Sequence, residues 1–399
     1  MNVLVLNSGS SSLKFKLFNS QDESVISSGE IKNYGEDSIS STIDDKEEII
    51  DISNWDNRFN LVAQALEKYE FTHILHRVVH GGEYYTLPVV LNEDLLEKMK
   101  EEIFDLAPLH NPSAFKIIEK TLTLFPKTKQ IAVFDSAFGM TIPQENFLYA
   151  LPYEYYEKYK VRRFAFHGIS HRYISKSYHN YIIDDETIYS ESHSQDKGLD
   201  GIRIVSLHLG SGCSACAIKG TQCVDTSFGF TPEENLVMST RVGEIDYSAI
   251  KYVQKKENLS DKDISDILNK KSGLLGLSGY TKDMKTIIKD YNSNPRAKLA
   301  LDIFIKVLSK QTLDMVSSLN GIDVLIFTGG IGQGSDIIRT MLCESLGILG
   351  VYIDVDKNKV SPDPNSILNV TGKRSSCQIL VIPTNEEKEM LEECLNLIN

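Results

Sequence analysis

Apolar and polar residues follow one another along the chain in patterns that predict short strands, turns and amphipathic helices. In "VLVLNSGSSSLKFKLF" (residues 3–18) an apolar run ends at a glycine and serine turn, after which apolar and basic residues alternate. Strict alternation is typical of a half-buried strand, here with Lys14 and Lys16 on one face. "NEDLLEKMKEEIFDL" has the spacing of a capped helix, and "KQIAVFDSAF" predicts a buried strand that ends in a polar loop. The pattern predicts an α/β protein with mixed sheets.

The opening strand–turn–strand pattern occurs a second time. "IVSLHLGSGCSACAI" (residues 204–218) repeats the order of apolar strand, glycine and serine turn, and second strand. The separation of about 200 residues exceeds the period of repeat arrays, so it predicts two related domains. A third glycine turn, "TGGIG", lies between a predicted strand and a predicted helix in residues 323–339.

Other segments give weaker signals. "IPTNEEKEMLEECLNLI" predicts a C-terminal helix that begins with Thr384 and Glu387 at the spacing of a capping box. The segments 35–54 and 184–201 are polar and acidic, so we expect solvent-exposed excursions without chemistry there.

Composition and charge narrow the possible partners. The chain has 399 residues, of which 41% are hydrophobic and 24% charged, with a formal net charge of −13. Such a surface repels nucleic acid and anionic membranes, so a bound phosphate needs a local positive pocket. No apolar stretch approaches the roughly 20 residues that span a bilayer, and the first apolar run ends at Asn7 without a signal-peptide pattern. We therefore expect no nucleic-acid or membrane partner, and a cytoplasmic location.

The six cysteines do not have the pattern of a disulfide framework. Cys213 and Cys216 lie in a predicted strand at a spacing that points their side chains to opposite faces, so they cannot easily share a metal. Packing as small apolar residues is the expected role.

The opening turn has the composition of an anion-binding loop, although tight turns favour the same residues for structural reasons alone. Gly9 is accompanied by four hydroxyl groups, which together with backbone N–H groups can donate to one anion: Ser8, Ser10, Ser11 and Ser12. Lysines follow directly, and the turn recurs in the second half, as two domains that grip one polyphosphate require. The P-loop pattern G-x-x-x-x-G-K-[ST] is absent. The turns therefore favour phosphate binding of a different design.

Short motifs follow one another along nearly the whole chain: "NSGSSSLKF", "HRVVHGGE", "APLHNP", "VFDSAF", "FHGISH", "GFTPEE", "TRVGEID", "FTGGIG" and "VIPTNEE". Together they resemble the acetate kinase family, which belongs to the superfamily of acetate and sugar kinases, heat-shock chaperones and actin. The resemblance implies two duplicated ribonuclease H-like domains, mixed sheets flanked by helices, with an interdomain active-site cleft. The domains would be residues 1–148 plus 386–399, and residues 149–385, the latter nucleotide-binding and dimerising.

The resemblance also implies an activity: reversible, Mg²⁺-dependent transfer of the γ-phosphoryl group of ATP to acetate, usually by a homodimer, with Mn²⁺ as a substitute ion. Arg77 would hold the carboxylate of acetate, and Arg241 would stabilise the phosphoryl group. His167 would donate a hydrogen bond to that group, and Asp135 would lie near the nucleophile and the metal. Without the resemblance, the arginines read as surface charges, and the spacing of His167 and His171 also suits a metal on a helix, although no third ligand is evident.

The remaining site residues that the resemblance implies fall into four groups. Mg²⁺ would be bound by Asn7 and Glu386, which offer the oxygen ligands that it prefers. The phosphate-binding residues would be Ser10, Ser12, Lys14, His208, Gly210, Ser211 and Gly212. The nucleotide-binding residues would be Asp283, Met284, Lys285, Gly330, Ile331 and Gly332. The last group would form a small apolar pocket for the acyl group, from Val79, Leu109, Phe166 and Pro232. From the sequence alone, packing in the hydrophobic core would explain these four residues equally well.

Departures from the usual motifs of the family concentrate at the nucleotide end. Ser211 stands in place of an asparagine, Lys285 in place of a stacking arginine, and further departures are at Ser239, Tyr247, Gln333 and Gly334. The phosphoryl donor therefore stays open between ATP, another nucleotide and pyrophosphate. Val79 resembles acetate-preferring members, with propionate or another short-chain acid as the alternative acceptor. An ATPase of the actin or chaperone type needs no arginine for an acyl carboxylate, and a sugar kinase needs a carboxylate base, so both fit the motifs less well.

Overall fold

The computed structural model of the chain describes residues 1–9, 12–34, 38–44, 46–51, 58–183 and 198–398. The chain divides into two compact units: unit 1 comprises Met1–Ala137 and Asn385–Asn399, and unit 2 comprises Phe138–Thr384. The first of these borders precedes the one expected at residue 148, and the domain assignment itself stays a prediction.

Unit 1 contains a mixed sheet of eight strands within the described residues. Its strands are β1 (Asn2–Ser8), β2 (Ser12–Asn19), β3 (Val25–Tyr34), β4 (Ser38–Ile43), β5 (Lys46–Asp51), β6 (His73–Val78), β7 (Val89–Val90) and β8 (Lys129–Phe134). Their order in the sheet is β5-β4-β3-β2-β1-β6-β8-β7. The run from Val3 to Leu6 in β1 is at most 1% exposed, because this strand lies in the middle of the sheet.

Unit 2 contains a mixed sheet of six strands within the described residues. Its strands are β9 (Arg203–Leu209), β10 (Cys213–Lys219), β11 (Gln222–Thr226), β12 (Val324–Thr328), β13 (Leu368–Asn369) and β14 (Gln378–Val381). Their order is β11-β10-β9-β12-β14-β13.

The two sheets share one topology. In each, the first strand pairs antiparallel with the second across a glycine turn, as β1 does with β2 and β9 with β10. Each first strand also pairs in parallel with a strand that follows a long connection, β6 in unit 1 and β12 in unit 2. Beyond this parallel neighbour lies another parallel strand: β8 next to β6 in unit 1, and β14 next to β12 in unit 2. On the opposite side of the sheet, the second strand pairs antiparallel with a third: β2 with β3 in unit 1, and β10 with β11 in unit 2. The duplication and the fold class predicted from the sequence are confirmed.

Helices pack against these sheets. Those of unit 1 that precede the border are α1 (Arg58–Leu66), α2 (Glu93–Ile103) and α3 (Asn111–Leu124). Those of unit 2 are α4 (Gln144–Phe147), α5 (Glu154–Tyr159), α6 (Gly168–Ile183), α7 (Tyr247–Glu257), α8 (Asp261–Asp266), α9 (Gly273–Ser278), α10 (Met284–Asp290), α11 (Pro295–Leu319), α12 (Gly329–Gly334), α13 (Asp336–Ser345) and α14 (Val355–Asn358). The last helix, α15 (Glu386–Ile398), belongs to unit 1.

The structure corrects two expectations about local structure. The segment 35–54, expected to be a polar excursion, forms β4 and the edge strand β5, and its residues 35–37, 45 and 52–54 lie outside the described part. The capping box expected from Thr384 and Glu387 is wrong, because the Asn385 side chain accepts from the Lys388 backbone N–H instead, at 3.3 Å. Most of the segment 184–201 lies outside the described residues.

All six cysteines are free and buried. The thiol of Cys213 lies against the carbonyl oxygen of Gly210, whereas the Sγ atoms of Cys216 and Cys223 lie 3.2 Å apart in the core of unit 2. Among the residues described, no helix combines the length and the apolar character that crossing a membrane takes.

Candidate active site

The strand ends of unit 1 bring a buried arginine together with a carboxylate and an amide. Arg77 lies near the end of β6, and Asp135 directly follows the neighbouring parallel strand β8, so both side chains leave the sheet at its carboxyl edge. The Arg77 Nη2 donates to Asp135 Oδ2 at 2.7 Å, and its Nη1 donates to Asn7 Oδ1 at 3.2 Å. Asp135 is fully buried, and the side chain of Arg77 is 12% exposed. Three residues predicted from the sequence thus lie in one cluster.

Arg77 keeps its charge and has N–H groups to offer. Burial opposes the charge, but the carboxylates of Asp135, Glu386 and Glu387 raise the pKa of Arg77 above its ordinary value. The Arg77 Nε is buried and has no hydrogen-bond partner among the described residues. A guanidinium in this state suits a planar carboxylate, which accepts two parallel hydrogen bonds.

The first turn of α15 adds two carboxylates to the cluster. The Asn7 Nδ2 donates to Glu386 Oε2 at 2.8 Å and to Glu387 Oε1 at 2.9 Å. Glu387 also pairs with Lys16, whose Nζ lies 3.2 Å from Glu387 Oε2 and donates to Asn385 Oδ1 at 2.7 Å. Sequence reasoning assigned Glu387 to a helix cap and missed its place in the cluster. The signal available in the sequence was the alternation in β2, which places Lys16 on the polar face, where it needs an acidic partner such as Glu387.

These side chains fit the Mg²⁺ that the resemblance implies. Asn7 and Glu386 offer only oxygen ligands, and Glu387 places a second carboxylate beside them. Within the described residues, no three His, Cys, Asp or Glu side chains group into a cage that would hold a metal by itself. Mg²⁺ typically binds to one or two carboxylates and completes its shell with water and substrate phosphates, which agrees with such an open arrangement.

β1 and β2 pair as a hairpin on either side of the opening turn. The Gly9 N–H donates to Ser12 O at 2.8 Å, and Lys14 lies opposite Asn7 in the ladder of β1 and β2. The side chain of Lys14 is 49% exposed and its Nζ lies 3.9 Å from Glu30. Lys14 is therefore next to the carboxylate cluster, Ser12 lies two residues before it on the same strand, and Ser10 lies outside the described residues.

In unit 2 the second hairpin lies against an arginine and a histidine. The Gly210 N–H donates to Gly212 O at 3.0 Å, so this turn also closes tightly. A Cβ atom on Gly212 would lie 2.7 Å from Arg241 Nη2 and 3.4 Å from His167 Nε2. The lack of a side chain at Gly212 therefore gives both groups room beside the turn, where Ser211 is exposed. Here too the predicted residues lie together.

Hydrogen bonds fix the orientation of the His167 ring. Its Nδ1 lies 2.9 Å from Ser214 Oγ, which lies 2.8 Å from His171 Nε2, and His171 Nδ1 in turn lies 2.9 Å from Ser206 Oγ. The His208 ring stacks on His167 at 4.2 Å between centroids. The backbone of His167 is left-handed, with φ at 53°, a strained state that other residues must hold in place. His171 is fully buried, in agreement with a structural role.

Arg241 differs from Arg77 in having no fixed counter-ion. Its Nη1 donates to the carbonyl oxygen of Pro232, and within the described part of the chain no carboxylate lies at ion-pair distance from it. Burial lowers the pKa of Arg241 from its ordinary value, with Cys213 and Glu233 acting in the opposite sense. A buried cation of this kind favours an anionic ligand.

The third glycine turn lies beside the second hairpin. A Cβ atom on Gly210 would lie 4.0 Å from the Gly330 backbone nitrogen, and a Cβ atom on Gly330 would meet no atom within 4 Å. Gly330 is exposed, Ile331 is half-buried and Gly332 is buried. The structure thus brings the predicted phosphate-binding turn and this predicted nucleotide-binding turn together.

A buried arginine that sequence reasoning missed holds this third turn. Arg339 is 1% exposed, and its Nη1 donates to Gly332 O at 2.9 Å and to Gln333 O at 2.7 Å. The other side of its guanidinium bonds to Asn358, through Nε at 2.6 Å and Nη2 at 2.8 Å. A cation on the apolar stripe of α13, next to Ile338 and Leu342, was the signal in the sequence.

The other predicted nucleotide-binding residues lie in separate surroundings. The Asp283 carboxylate caps α10, where it accepts from the Thr286 N–H at 2.9 Å, and Met284 is buried while Lys285 is exposed. Within the described residues, no hydrogen bond or ion pair joins these three residues to the glycine turns of unit 2.

The four predicted acyl-pocket residues are divided between the units. In unit 1, Val79 is 3% exposed and Leu109 is 37% exposed. In unit 2, Phe166 is buried with its ring centroid 5.7 Å from that of Phe228, and Pro232 is buried.

Comparison with known proteins gives consistent matches over the whole chain. The sequence model of the acetokinase family matches residues 2–392. An acetate kinase from Treponema denticola is 40% identical to this chain, with 100% of both chains covered.

Solved structures agree. The crystal structure of an acetate kinase from Porphyromonas gingivalis covers 100% of both chains at 31% identity, with a TM-score of 0.85. The crystal structure of a propionate kinase from Francisella tularensis covers 98% of both chains at 34% identity, with a TM-score of 0.86.

Proposed function

The chain belongs to the acetokinase family, and on that basis we propose that it catalyses the reversible transfer of the γ-phosphoryl group of ATP to acetate. An oxygen of acetate attacks the γ-phosphorus, the bond from that phosphorus to the β–γ bridging oxygen breaks, and ADP leaves with the electron pair. The products are acetyl phosphate and ADP. Because acetate is already an anion, the reaction needs no general base, and it depends on alignment and charge neutralisation.

The observation that carries the proposal is the contrast between two partly buried arginines. Arg77 is held by Asp135 and Asn7 and has an unpartnered Nε, which supports a role in binding the carboxylate of acetate. Among the residues that the structure describes, no carboxylate pairs with Arg241, which lies beside the glycine turn at Gly212; this supports a role in stabilising the phosphoryl group as charge spreads over its oxygens.

Four further side chains have supporting roles in the proposed reaction. His167, oriented through Ser214, donates a hydrogen bond to the phosphoryl oxygens. Asp135 keeps Arg77 charged and fixes its orientation. Asn7 and Glu386 would hold Mg²⁺ or Mn²⁺, which when bound would supply charge neutralisation for the phosphates of the nucleotide.

For the phosphoryl donor we propose ATP, bound at the glycine turns Gly210–Gly212 and Gly330–Gly332. The open space at Gly330 and the short distance between the two turns support this assignment. The departures at Ser211 and Lys285 leave pyrophosphate as the competing donor, and a comparison of the two donors at equal Mg²⁺ decides between them. We further propose that the protein is cytoplasmic and that it forms a homodimer. Sedimentation velocity on the purified chain tests the oligomeric state.

Propionate is the second candidate acceptor, because a propionate kinase structure is among the similar proteins. One methylene group in an apolar pocket changes discrimination by about 1–3 kcal/mol, so we expect both acids to react and acetate to have the higher kcat/KM.

The test is a coupled substrate series. Purified chain, Mg²⁺ and ATP are incubated with acetate, propionate or butyrate, and the acyl phosphate is trapped with hydroxylamine. We expect acetohydroxamate to form fastest, and none to form without Mg²⁺. No hydroxamate from any acid with either ATP or pyrophosphate would defeat the proposal, whereas ADP release without any carboxylic acid would favour an ATPase.

A further inference from the structure

The turn that carries Arg241 (residues 238–242) is held by a second segment, residues 267–274, which we call the buttress. Backbone hydrogen bonds join the two segments at three points: Val242 N to Leu268 O at 2.9 Å, Ser272 N to Thr240 O at 3.1 Å, and Leu274 N to Met238 O at 2.8 Å. The Thr240 hydroxyl adds a fourth bond, to Asn269 O at 2.8 Å. The turn is also tied to the second hairpin, because the Ser239 N–H donates to Ser211 O at 3.1 Å.

The buttress has an uncommon backbone. Ile267–Lys271 forms a π-helical turn, which is rare and is frequently found at functional sites. Gly273 follows with φ at 61°, in the left-handed region. A Cβ atom on Gly273 would lie 2.2 Å from Met238 O, 2.7 Å from Arg241 O and 3.1 Å from Arg241 N. Gly273 therefore packs directly against the peptide groups of Arg241, closer than any other residue type allows.

Arg241 depends on its backbone more than Arg77 does. Side chains hold the guanidinium of Arg77, whereas that of Arg241 has the Pro232 carbonyl as its hydrogen-bond partner and no carboxylate within the described residues. The place of the Arg241 guanidinium must therefore follow from the place of its main chain. We infer that the buttress is a positioning device for phosphoryl transfer, in which Gly273 and Thr240 set the location of Arg241. This inference rests on the proposed function.

The first test compares two glycines at the opposite ends of α9. Gly273→Ala forces Met238 O away by about 1 Å, and a misplacement of that size can reduce a rate about 10²-fold. Gly279→Ala is the matched control, because Gly279 also has a positive φ, of 81°, but a Cβ atom there meets only the flexible end of Arg296. We expect kcat to fall about 10²-fold in Gly273→Ala alone, with KM for acetate within twofold and similar losses of Tm in both variants. Equal kcat in the two variants would overturn the inference.

The second test changes the side-chain bond without straining the backbone. Thr240→Val removes the hydrogen bond to Asn269 O, and Thr240→Ser keeps it. The loss of one neutral hydrogen bond should lower kcat about 2- to 10-fold in Thr240→Val, and Thr240→Ser should retain the original kcat. If Gly273→Ala does not fold, the comparison of Thr240→Val with Thr240→Ser tests the inference by itself. Equal kcat in these two variants would overturn the positioning role.

Crystal structures separate this inference from the proposed function. In Gly273→Ala we expect the Arg241 main chain to be displaced relative to the original chain, and in Gly279→Ala we expect it unmoved. If the original chain makes no acyl phosphate, the proposed function fails, and the position of Arg241 in these structures still decides the inference. An Arg241 that superposes in Gly273→Ala would refute it.

Discussion

Replacing Arg77 by lysine tests how the carboxylate substrate is held. In the structure Arg77 uses one Nη2–H on Asp135 and one Nη1–H on Asn7, and its remaining N–H groups include the unpartnered Nε. A lysine carries three N–H groups on one atom, so it can satisfy Asp135 but cannot also offer a planar fork to acetate. The expected loss is one charge-assisted hydrogen bond to substrate, about 1.5–3 kcal/mol, which corresponds to a roughly 10- to 150-fold higher KM for acetate.

The stability of the same variants gives a second readout. Arg77→Lys keeps a cation next to the fully buried Asp135, whereas Arg77→Ala removes the cation and breaks the ion pair, at a cost of about 3–5 kcal/mol in the free energy of unfolding. Thermal unfolding should therefore rank the original chain above Arg77→Lys and both well above Arg77→Ala.

The assay is acetohydroxamate formation at saturating ATP with acetate varied. Arg203→Lys is the matched control, because Arg203 also pairs with a buried aspartate, Asp323, at 2.7 Å, and lies at the start of β9, the end of the strand opposite the second hairpin. The control should leave KM for acetate within twofold. If Arg77→Lys also keeps KM within twofold while remaining folded, the carboxylate does not bind to this arginine, and the reasoning is refuted.

Three further predictions concern Arg241, the second hairpin and acid stability. Arg241→Ala should lower kcat at least about 10³-fold, as loss of an arginine that stabilises a phosphoryl transition state does, and an unchanged kcat would reject that role. Gly212→Ala should push the Arg241 guanidinium aside and lower kcat about 10-fold or more, whereas Gly210→Ala, whose Cβ atom would meet nothing closer than 3.5 Å, should cost less; equal losses would contradict the geometry. Burial lowers the pKa of His76 to about 4, so on acidification the unfolded chain takes up this proton before the folded chain does. As the pH is lowered from 6.5 to 4, the free energy of unfolding should therefore decrease by about 3 kcal/mol. Denaturant unfolding at several pH values should show a shallower slope for His76→Gln, and an identical slope would contradict this assignment.

The parts of the fold that sequence predicted are those in which burial dictates the residue pattern. The apolar run of β1 and the alternation of β2 follow directly from their places in the sheet, and the second hairpin repeats them. Asp135 could be expected near Arg77 because Arg77 lies near the end of β6 and Asp135 follows the neighbouring parallel strand β8. In contrast, β4 and β5 lie at the edge of the sheet with mostly polar residues, so their sequence does not differ from that of an exposed loop.

The parts of the site that sequence missed depend on contacts between distant residues. Glu387 has the local spacing of a cap, but Lys16 and Asn7 recruit its carboxylate from more than 350 positions away in the chain, so the tertiary contacts prevail over the local signal. Position 273 requires glycine because the peptide groups of Met238 and Arg241 approach it too closely for a Cβ atom. No pattern in the neighbouring sequence predicts this contact. The sequence shows Arg339 only as a cation on the apolar stripe of a helix. Its role depends on a hydrogen bond to Asn358, a residue 19 positions later in the chain.

Attack of a carboxylate oxygen on the transferred phosphorus is the central claim, and oxygen-18 labelling tests it most directly. The chain is incubated with Mg²⁺, ATP and [¹⁸O₂]acetate, and the products are followed by ³¹P NMR. If an acetate oxygen attacks the γ-phosphorus, acetyl phosphate carries ¹⁸O in its bridging position and its phosphorus signal shows the corresponding isotope shift. Phosphorus that appears only as unlabelled inorganic phosphate, with the acetate unchanged, would contradict the account.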